Sequence, residues 1–287
     1  MTEPKTHTLE VPGATLAYDV REAEEPTAPA LLLIGSPMDA SGFATLAGHF
    51  TDRTVVTYDP RGVGRSRRTD DTGPTPEAHA DDLHRVIDAL GGAPVDVFAS
   101  SGGAVNALAL VARHPEQVRV LVAHEPPLAK VLPDRDNALA AVAGLRQAYE
   151  REGFGAGMVR FFTLTGHRGE FPAGFADLPA PNPADFGLPT HDDGSRDDPL
   201  LGQNLISCIH YEPDVEALRA ASTRVVIGVG AESEGEMAHR GGVGVAGLLG
   251  TEPVIFPSNH GGFLGDEFGM PGDPDGFAAT LRQVLGG

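Results

Sequence analysis

Residues 95–104 read Val-Asp-Val-Phe-Ala-Ser-Ser-Gly-Gly-Ala, a short apolar strand that runs into a serine with very small neighbours. A helix-forming segment, residues 103–113, follows directly. In a strand–serine–helix turn the serine backbone is strained, and the residues two before and two after it must be small so that strand and helix pack closely. Ala99 and Gly103 occupy those positions around Ser101. The stretch therefore predicts a nucleophile elbow.

Strands and helices alternate on both sides of this elbow. The later strand-like runs are continuously apolar, as expected for parallel strands that are covered on both faces. The eight predicted strands are residues 8–11, 16–20, 30–34, 54–58, 95–99, 118–123, 224–229 and 253–256. The predicted helices between and after them are residues 76–90, 103–113, 234–249 and 275–285. This order predicts an α/β fold with a doubly wound, mostly parallel eight-stranded sheet.

The alternation is interrupted between residues 126 and 221. Residues 137–151 predict an amphipathic helix and residues 158–163 another apolar segment, whereas residues 171–200 are crowded with Pro, Gly and Asp. So long an irregular insert in a compact domain is commonly a functional lid, although a surface excursion without a role is the alternative. We therefore expect a core from residues 1–125 and 222–287, with a helical cap at 126–221 inserted after the sixth strand.

Composition and charge exclude several classes of partner. The net charge of −19 argues against nucleic acid and against an anionic membrane surface. Cys208 is the single cysteine, so an internal disulfide and a thiolate metal cluster are both ruled out. Because no His, Asp and Glu residues have metal-ligand spacing, we expect neither a metal nor a cofactor.

The sequence also bears on the location of the protein. The first eleven residues are polar and lack the apolar segment of a secretory signal. The longest strand-like apolar run, residues 30–34, is far too short to span a bilayer. We expect a cytoplasmic protein that works as a monomer or a homodimer.

Four separated motifs resemble those of the α/β-hydrolase fold family, and they occur in the family's order across nearly the whole chain outside the cap. The elbow at Ser101 is one of them. Residues 58–66 are similar to the family's Asp-x-Arg-Gly-x-Gly-x-Ser turn, which implies a bracing role for Asp59 and Arg61 rather than chemistry. Residues 31–37 and 256–263 are the other two, and they carry candidate site residues.

The stretch 31–37 resembles the family's His-Gly-x-Pro oxyanion loop, with Ile34 in place of the histidine. The resemblance implies that the backbone N–H groups of Ser36 and Gly102 form the oxyanion hole. Two preorganised N–H groups are suited to this task because they stabilise the charge that develops on a carbonyl oxygen.

The histidine of the Gly-rich stretch 256–263, His260, matches the family's general base. The position of the triad acid stays open. Many relatives carry Asp after the seventh strand, where this chain has Ser233, with Glu232 adjacent. Some family members carry the acid after the sixth strand, where Glu125 stands. We favour Glu125 over Glu232, since any carboxylate that reaches the far imidazole nitrogen will serve; a strand-end cap without a catalytic role is the other interpretation.

The resemblance implies a serine hydrolase of the carboxylic ester hydrolase type, which works through an acyl-enzyme. Apolar residues of the insert, among them Phe161 and Phe162, favour an ester or lactone of a hydrophobic small molecule as the substrate. A serine nucleophile argues against the epoxide hydrolase and haloalkane dehalogenase branches, which use a carboxylate. The composition, rich in Ala, Gly, Arg, Asp and Pro, is typical of high-GC bacteria, in which such hydrolases serve secondary metabolism. The candidate substrate contacts are Met38, His124, Phe161, Phe162 and His210.

Three other functions remain open for the same scaffold. A cofactor-free perhydrolase, as in the bacterial haloperoxidases, keeps the serine and histidine but makes a peracid. A C–C bond hydrolase differs by its activity on β-diketones. A small-molecule binder that does not turn over its ligand is different in kind, and an intact serine and histidine do not exclude it.

Overall fold

A mixed β-sheet forms the centre of the protein in the computed structural model, which describes residues 3–269 and 272–286. Across this sheet the strand order is β1-β2-β4-β3-β6-β7-β8-β9, and the short β5 pairs with β2. The strands are β1 (Lys5–Val11), β2 (Ala14–Arg21), β3 (Leu31–Ile34), β4 (Val55–Tyr58), β5 (Arg67–Arg68), β6 (Val95–Ser100), β7 (Val118–His124), β8 (Arg224–Gly230) and β9 (Val254–Phe256). β2 pairs antiparallel with both β1 and β4. All the pairs along the path from β4 to β9 are parallel. The predicted α/β sheet is thus confirmed, with β5 as an unpredicted addition.

Helices cover both faces of the sheet. The α-helices of the described chain, some of which lie in the segment between β7 and β8, are α1 (Ala44–Gly48), α2 (Pro76–Ala89), α3 (Gly102–Arg113), α4 (Arg135–Glu152), α5 (Phe154–Thr165), α6 (Leu205–Ile209), α7 (Val215–Ala220), α8 (Met237–Leu249) and α9 (Pro274–Gly286). Alternate residues of β3 enter different cores: Leu32 packs with α2 and α3, whereas Leu33 packs with α1 and α9. This is the two-sided burial expected of a central parallel strand, and it explains why the strand is continuously apolar.

The turn after β4 is braced by buried charges. The Asp59 carboxylate accepts backbone hydrogen bonds from Ala40 at 3.0 Å and Arg65 at 2.8 Å. Arg61 donates two hydrogen bonds to Asp82 of α2, at 2.7 and 2.6 Å. These contacts tie the turn to the neighbouring loop and helix.

The segment between β7 and β8 holds α4 to α7 and has its own apolar core, which includes Leu145, Phe171 and Leu205. Residues 171–200 contain only short turns, among them Phe175–Asp177 and Pro183–Phe186, as their composition predicts. A π-helical turn, Pro199–Asn204, leads into α6. We refer to residues 126–221 as the cap, a boundary that stays a prediction.

None of the helices in the described part of the chain is long and apolar enough to cross a membrane.

Candidate active site

Ser101 lies at the turn between β6 and α3, with a positive φ of 57° and a ψ of −126°. Its N–H donates to the His124 carbonyl at 2.9 Å, which holds the turn beside the end of β7. A Cβ at Gly103 would lie 2.6 Å from the Ile34 carbonyl oxygen, so only glycine fits where α3 crosses β3. The strained serine and the close crossing are the geometry that the sequence motif predicts.

His260 and Glu125 meet at the carboxyl ends of the strands. The His260 Nδ1 and the Glu125 Oε2 are 2.5 Å apart. Glu125 follows the last residue of β7, with a positive φ of 50°, and its N–H donates to the Gly228 carbonyl of β8 at 3.0 Å. The Glu125 side chain is fully buried, whereas 39% of the His260 side chain is exposed. The imidazole of His260 therefore contacts a buried carboxylate with one nitrogen, while part of its ring is exposed to solvent.

The second oxygen of Glu125 is also satisfied. Its Oε1 accepts the Gly230 N–H at 2.8 Å and a short hydrogen bond from the buried Ser233 hydroxyl. Burial alone raises the pKa of Glu125, but the hydrogen bonds from His260 and Ser233 and the nearby histidines outweigh it and bring the pKa to about 2. The carboxylate is thus ionised under ordinary conditions. Ser233, which stands where many relatives carry Asp, holds this carboxylate instead.

Glu232, the alternative acid, is placed differently. Its side chain is solvent-exposed, its N–H donates to the Ser258 carbonyl at 2.9 Å, and its own carbonyl accepts from Arg168 of the cap at 2.7 Å. The structure therefore brings Glu125 to His260 and leaves Glu232 at the surface.

Ser36 and Gly102 lie side by side next to Ser101. A Cβ at Gly102 would lie 2.6 Å from the Ser36 carbonyl oxygen, which shows how closely the two backbones approach. As the first residue of α3, Gly102 has no acceptor for its N–H within the helix. The Ser36 N–H likewise donates to no acceptor among residues 3–269 and 272–286. Neither N–H group therefore has an acceptor in the described part of the chain.

The candidate substrate contacts fall into different environments. The Met38 side chain folds back over the loop that follows β3. Cβ atoms at Gly35 and Gly42 would each lie within 3 Å of this side chain. Phe161 packs partly buried against the cap core, and Phe162 is 39% exposed beside it, with ring centroids 6.2 Å apart. His210 turns its Nδ1 towards the Ile206 carbonyl of its own helix at 2.9 Å.

His124 is fully buried, so its side chain is not exposed at the surface of the site. Its ring packs against Phe98, Phe256 and Phe277, and its centroid lies 6.1 Å from that of His260. Neither ring nitrogen has a hydrogen-bond partner in the described part of the chain, and burial lowers the pKa of His124 to about 4. The neutral ring forms the apolar packing behind His260.

Three residues near the site carry no signal in the sequence: His79, Asn204 and Cys208. Cys208 lies against Gly102, and Asn204 lies between Ser36 and His79. Asn204 and Cys208 belong to the cap and His79 to α2, so their contacts depend on how the cap packs on the core, which no local pattern encodes. Within the described residues, no group of three or more His, Cys, Asp or Glu side chains is arranged to hold a metal ion.

Comparisons with known proteins identify the family of this chain. A profile of the alpha/beta hydrolase fold matches residues 30–174. The chain is 33% identical over 270 residues to the uncharacterized hydrolase YraK of Bacillus subtilis, covering 89% of each chain. The matching profile and this relative show that the chain belongs to the α/β-hydrolase fold family.

Solved structures share the fold at low identity. The enol-lactonase from Burkholderia xenovorans LB400 superposes with a TM-score of 0.66 at 18% identity, over 98% of this chain and 100% of that one. A thermophilic esterase from Thermogutta terrifontis gives 0.66 at 17% identity, over 99% and 98% of the two chains. At this identity the likeness is one of fold.

Proposed function

We propose that the protein is a serine hydrolase that cleaves a carboxylic ester or lactone of a hydrophobic small molecule. The observation that carries the proposal is the hydrogen bond between His260 and the buried, ionised Glu125, on the same edge of the sheet as the strained Ser101. A nucleophile, a base and an acid of this kind together serve acyl transfer.

The ionised carboxylate sets the protonation of the imidazole. Since an ionised Glu125 only accepts hydrogen bonds, the proton on His260 must be on Nδ1, next to Oε2. The lone pair of the neutral ring is then on Nε2, the nitrogen that faces away from Glu125. This tautomer can take the proton of the Ser101 hydroxyl as the oxygen attacks a carbonyl, and the nearby carboxylate stabilises the imidazolium that forms.

The remaining steps use the backbone. The Ser36 and Gly102 N–H groups bind the oxygen that becomes negative in the tetrahedral intermediate. His260 then gives its proton to the leaving alcohol, which departs and leaves an acyl group on Ser101. Water, activated by the same histidine, attacks the acyl-enzyme and releases the acid.

The partly exposed apolar side chains among the candidate substrate contacts support a hydrophobic substrate. Met38, Phe161 and Phe162 come from the oxyanion loop and the cap, and each is partly exposed. Structural neighbours with the same fold include an enol-lactonase and an esterase, so this scaffold is compatible with ester or lactone chemistry. The acidic surface, with a net charge of −19, fits a small neutral ligand better than a polyanionic one.

A serine-directed fluorophosphonate tests the proposal. We expect labelling at Ser101, located by peptide mass spectrometry, and its loss in Ser101→Ala and His260→Ala. Glu125→Gln should slow labelling and hydrolysis of p-nitrophenyl butyrate by at least about a hundredfold, because the imidazole loses its orienting charge. Glu232→Gln is the matched control and should label at the rate of the wild type.

Other results would point elsewhere. An unlabelled but folded wild type that binds hydrophobic ligands would be a binder without turnover. Labelling at Ser101 without ester hydrolysis, but with activity on β-diketones or with peracid formation, would identify a C–C bond hydrolase or a perhydrolase. Equal losses in the Glu125 and Glu232 variants would contradict the assignment of the acid.

A further inference from the structure

A short piece of the cap, residues 204–208, packs against both residues assigned to the oxyanion hole. The Ser36 hydroxyl donates to the Asn204 Oδ1 at 3.4 Å. A Cβ at Gly102 would lie 3.3 Å from the Cys208 Sγ. Asn204 and Cys208 are both buried, and burial raises the pKa of the Cys208 thiol to about 12, so it serves here as an apolar packing group.

Asn204 is held in a single orientation by the groups around it. Its Nδ2 donates to the Pro199 carbonyl at 2.7 Å, and since a carbonyl only accepts, its Oδ1 must face the other way. There the Oδ1 lies 2.8 Å from the Nε2 of His79, a fully buried residue of α2. His79 therefore carries its proton on Nε2 and donates it to Asn204.

The state of His79 fits this role. Burial lowers its pKa to about 4, so the ring is neutral near pH 7 and offers one N–H. That N–H is used on Asn204, and the other nitrogen, Nδ1, has no partner among the described residues. Because His79 belongs to the core, its single N–H holds the cap residue Asn204 in a fixed position relative to the core.

We propose that Asn204, held by His79, is a positioning residue for the oxyanion hole, so that the docked cap sets where the Ser36 N–H lies relative to the Gly102 N–H. The inference rests on the proposed function, which makes these two N–H groups the oxyanion donors. Donors of this kind act only when they are aimed at the developing charge before the reaction, and displacement by a fraction of an ångström weakens them. Asn204 contacts no reacting atom and acts through Ser36.

The chain supplies a matched control one residue away. Gln203, in the same π-helical turn, accepts a hydrogen bond from Arg68 of β5 at 3.3 Å through its Oε1. This contact also ties the cap to the core, but it does not involve Ser36 or Gly102. Gln203→Ala therefore loosens the cap without touching the oxyanion loop.

The test separates changes in kcat, which report on the transition state, from changes in KM, which report on substrate binding. We expect Asn204→Leu and Ser36→Ala each to lower the fluorophosphonate labelling rate of Ser101 and the kcat for p-nitrophenyl butyrate about tenfold, with KM changed less than about twofold. The double variant should lose little more than either single one, because both changes remove the same contact. Gln203→Ala should stay within about twofold of the wild type. His79→Gln, which keeps a donor, should retain more activity than His79→Leu.

The possible outcomes distinguish a failure of the positioning role of Asn204 from a failure of the proposed function. If wild-type Ser101 is labelled and both Ser36→Ala and Asn204→Leu are labelled as fast as the wild type, the positioning role is wrong and the proposed function stands. An equal loss in Gln203→Ala would show general loosening of the cap and would also overturn it. An unlabelled wild type removes both proposals. If Asn204→Leu does not fold, Ser36→Ala carries the test, since it deletes only a hydroxyl group.

Discussion

At the scale of single residues, the site is organised around one buried carboxylate. Glu125 receives hydrogen bonds from a side chain and a backbone group on one oxygen and faces His260 with the other. A buried charge is tolerated only when it is paired and its lone pairs are satisfied. The Ser233 hydroxyl thus helps to offset the desolvation cost of burying this carboxylate, although the sequence singles Ser233 out only as the place where an Asp is missing.

Removing the Ser233 hydroxyl should weaken catalysis without weakening substrate binding. In Ser233→Ala the Glu125 Oε1 keeps only the Gly230 N–H, so the carboxylate is held less firmly against His260. A hydrogen bond to a charged group contributes about 1.5–3 kcal/mol, and we expect kcat to fall about tenfold with little change in KM. Steady-state kinetics with p-nitrophenyl butyrate measure this. Ser222→Ala, which alters an exposed serine, is the control, and an unchanged kcat in Ser233→Ala would contradict the role.

The depressed pKa of Glu125 predicts a pH-dependent contribution to stability. Because its pKa in the folded state, about 2, lies below its ordinary value, the group stabilises the fold above the ordinary value, and the contribution is lost as the pH falls towards about 2. The gap in unfolding free energy between wild type and Glu125→Gln should therefore narrow by about 2 kcal/mol between about pH 5 and about pH 3. Urea titrations measure the gap. A gap that does not change over this interval would show that the carboxylate is not stabilised in its charged form.

At the scale of elements, the elbow depends on how closely α3 approaches β3. Glycine is required at Gly103 because the Ile34 carbonyl occupies the space of a Cβ. The approach also brings the oxyanion loop, which follows β3, beside the first turn of α3. The crossing of these two elements therefore places the proposed nucleophile and both proposed oxyanion donors together.

A methyl group at this crossing should be costly. Gly103→Ala places a Cβ 2.6 Å from the Ile34 oxygen, and we expect a loss of about 2–3 kcal/mol in unfolding free energy together with a large loss of Ser101 labelling. Gly247→Ala is the matched control in α8, where a Cβ meets nothing within 4 Å. Helix propensity makes that change neutral or stabilising by up to about 1 kcal/mol. Equal stability of the two variants in urea unfolding would show that the crossing is not tight.

At the scale of the whole molecule, the cap and the core share their apolar interiors. Cys208 and Leu218 of the cap belong to the core beside α3, while Met237 of α8 belongs to the core of the cap. Polar contacts add to this: Asp134 pairs with Arg240 of α8 and also accepts the Phe171 N–H at 2.7 Å. We therefore expect one cooperative unfolding transition rather than separate melting of the cap.

Breaking the pair between Asp134 and Arg240 should destabilise the whole molecule. Both side chains are mostly buried, so Asp134→Ala leaves Arg240 without its carboxylate and should lower the unfolding free energy by about 3 kcal/mol. The exposed neighbouring pair between Arg135 and Asp136, 3.9 Å apart, supplies the control. Arg135→Ala should change stability by less than about 0.5 kcal/mol. Urea unfolding followed by circular dichroism measures both, and a second transition in Asp134→Ala would contradict the single cooperative unit.

The sequence by itself determined the α/β sheet, the elbow at Ser101 and the loop that carries His260. These features are local: a run of apolar residues, a serine between small neighbours and a glycine-rich turn each depend on steric rules that act over a few residues. The mostly parallel sheet follows from the order of such segments.

Only the tertiary structure decided which carboxylate contacts His260 and which cap residue packs against the loop that follows β3. Glu125 reaches His260 because β7, β8 and β9 pair in parallel, which puts the end of β7 and the end of β9 at the same edge of the sheet. Asn204 reaches Ser36 across 168 positions of the chain. Contacts of this kind depend on strand register and on the docking of the cap, and these are settled by the packing of the whole molecule rather than by any neighbouring residues.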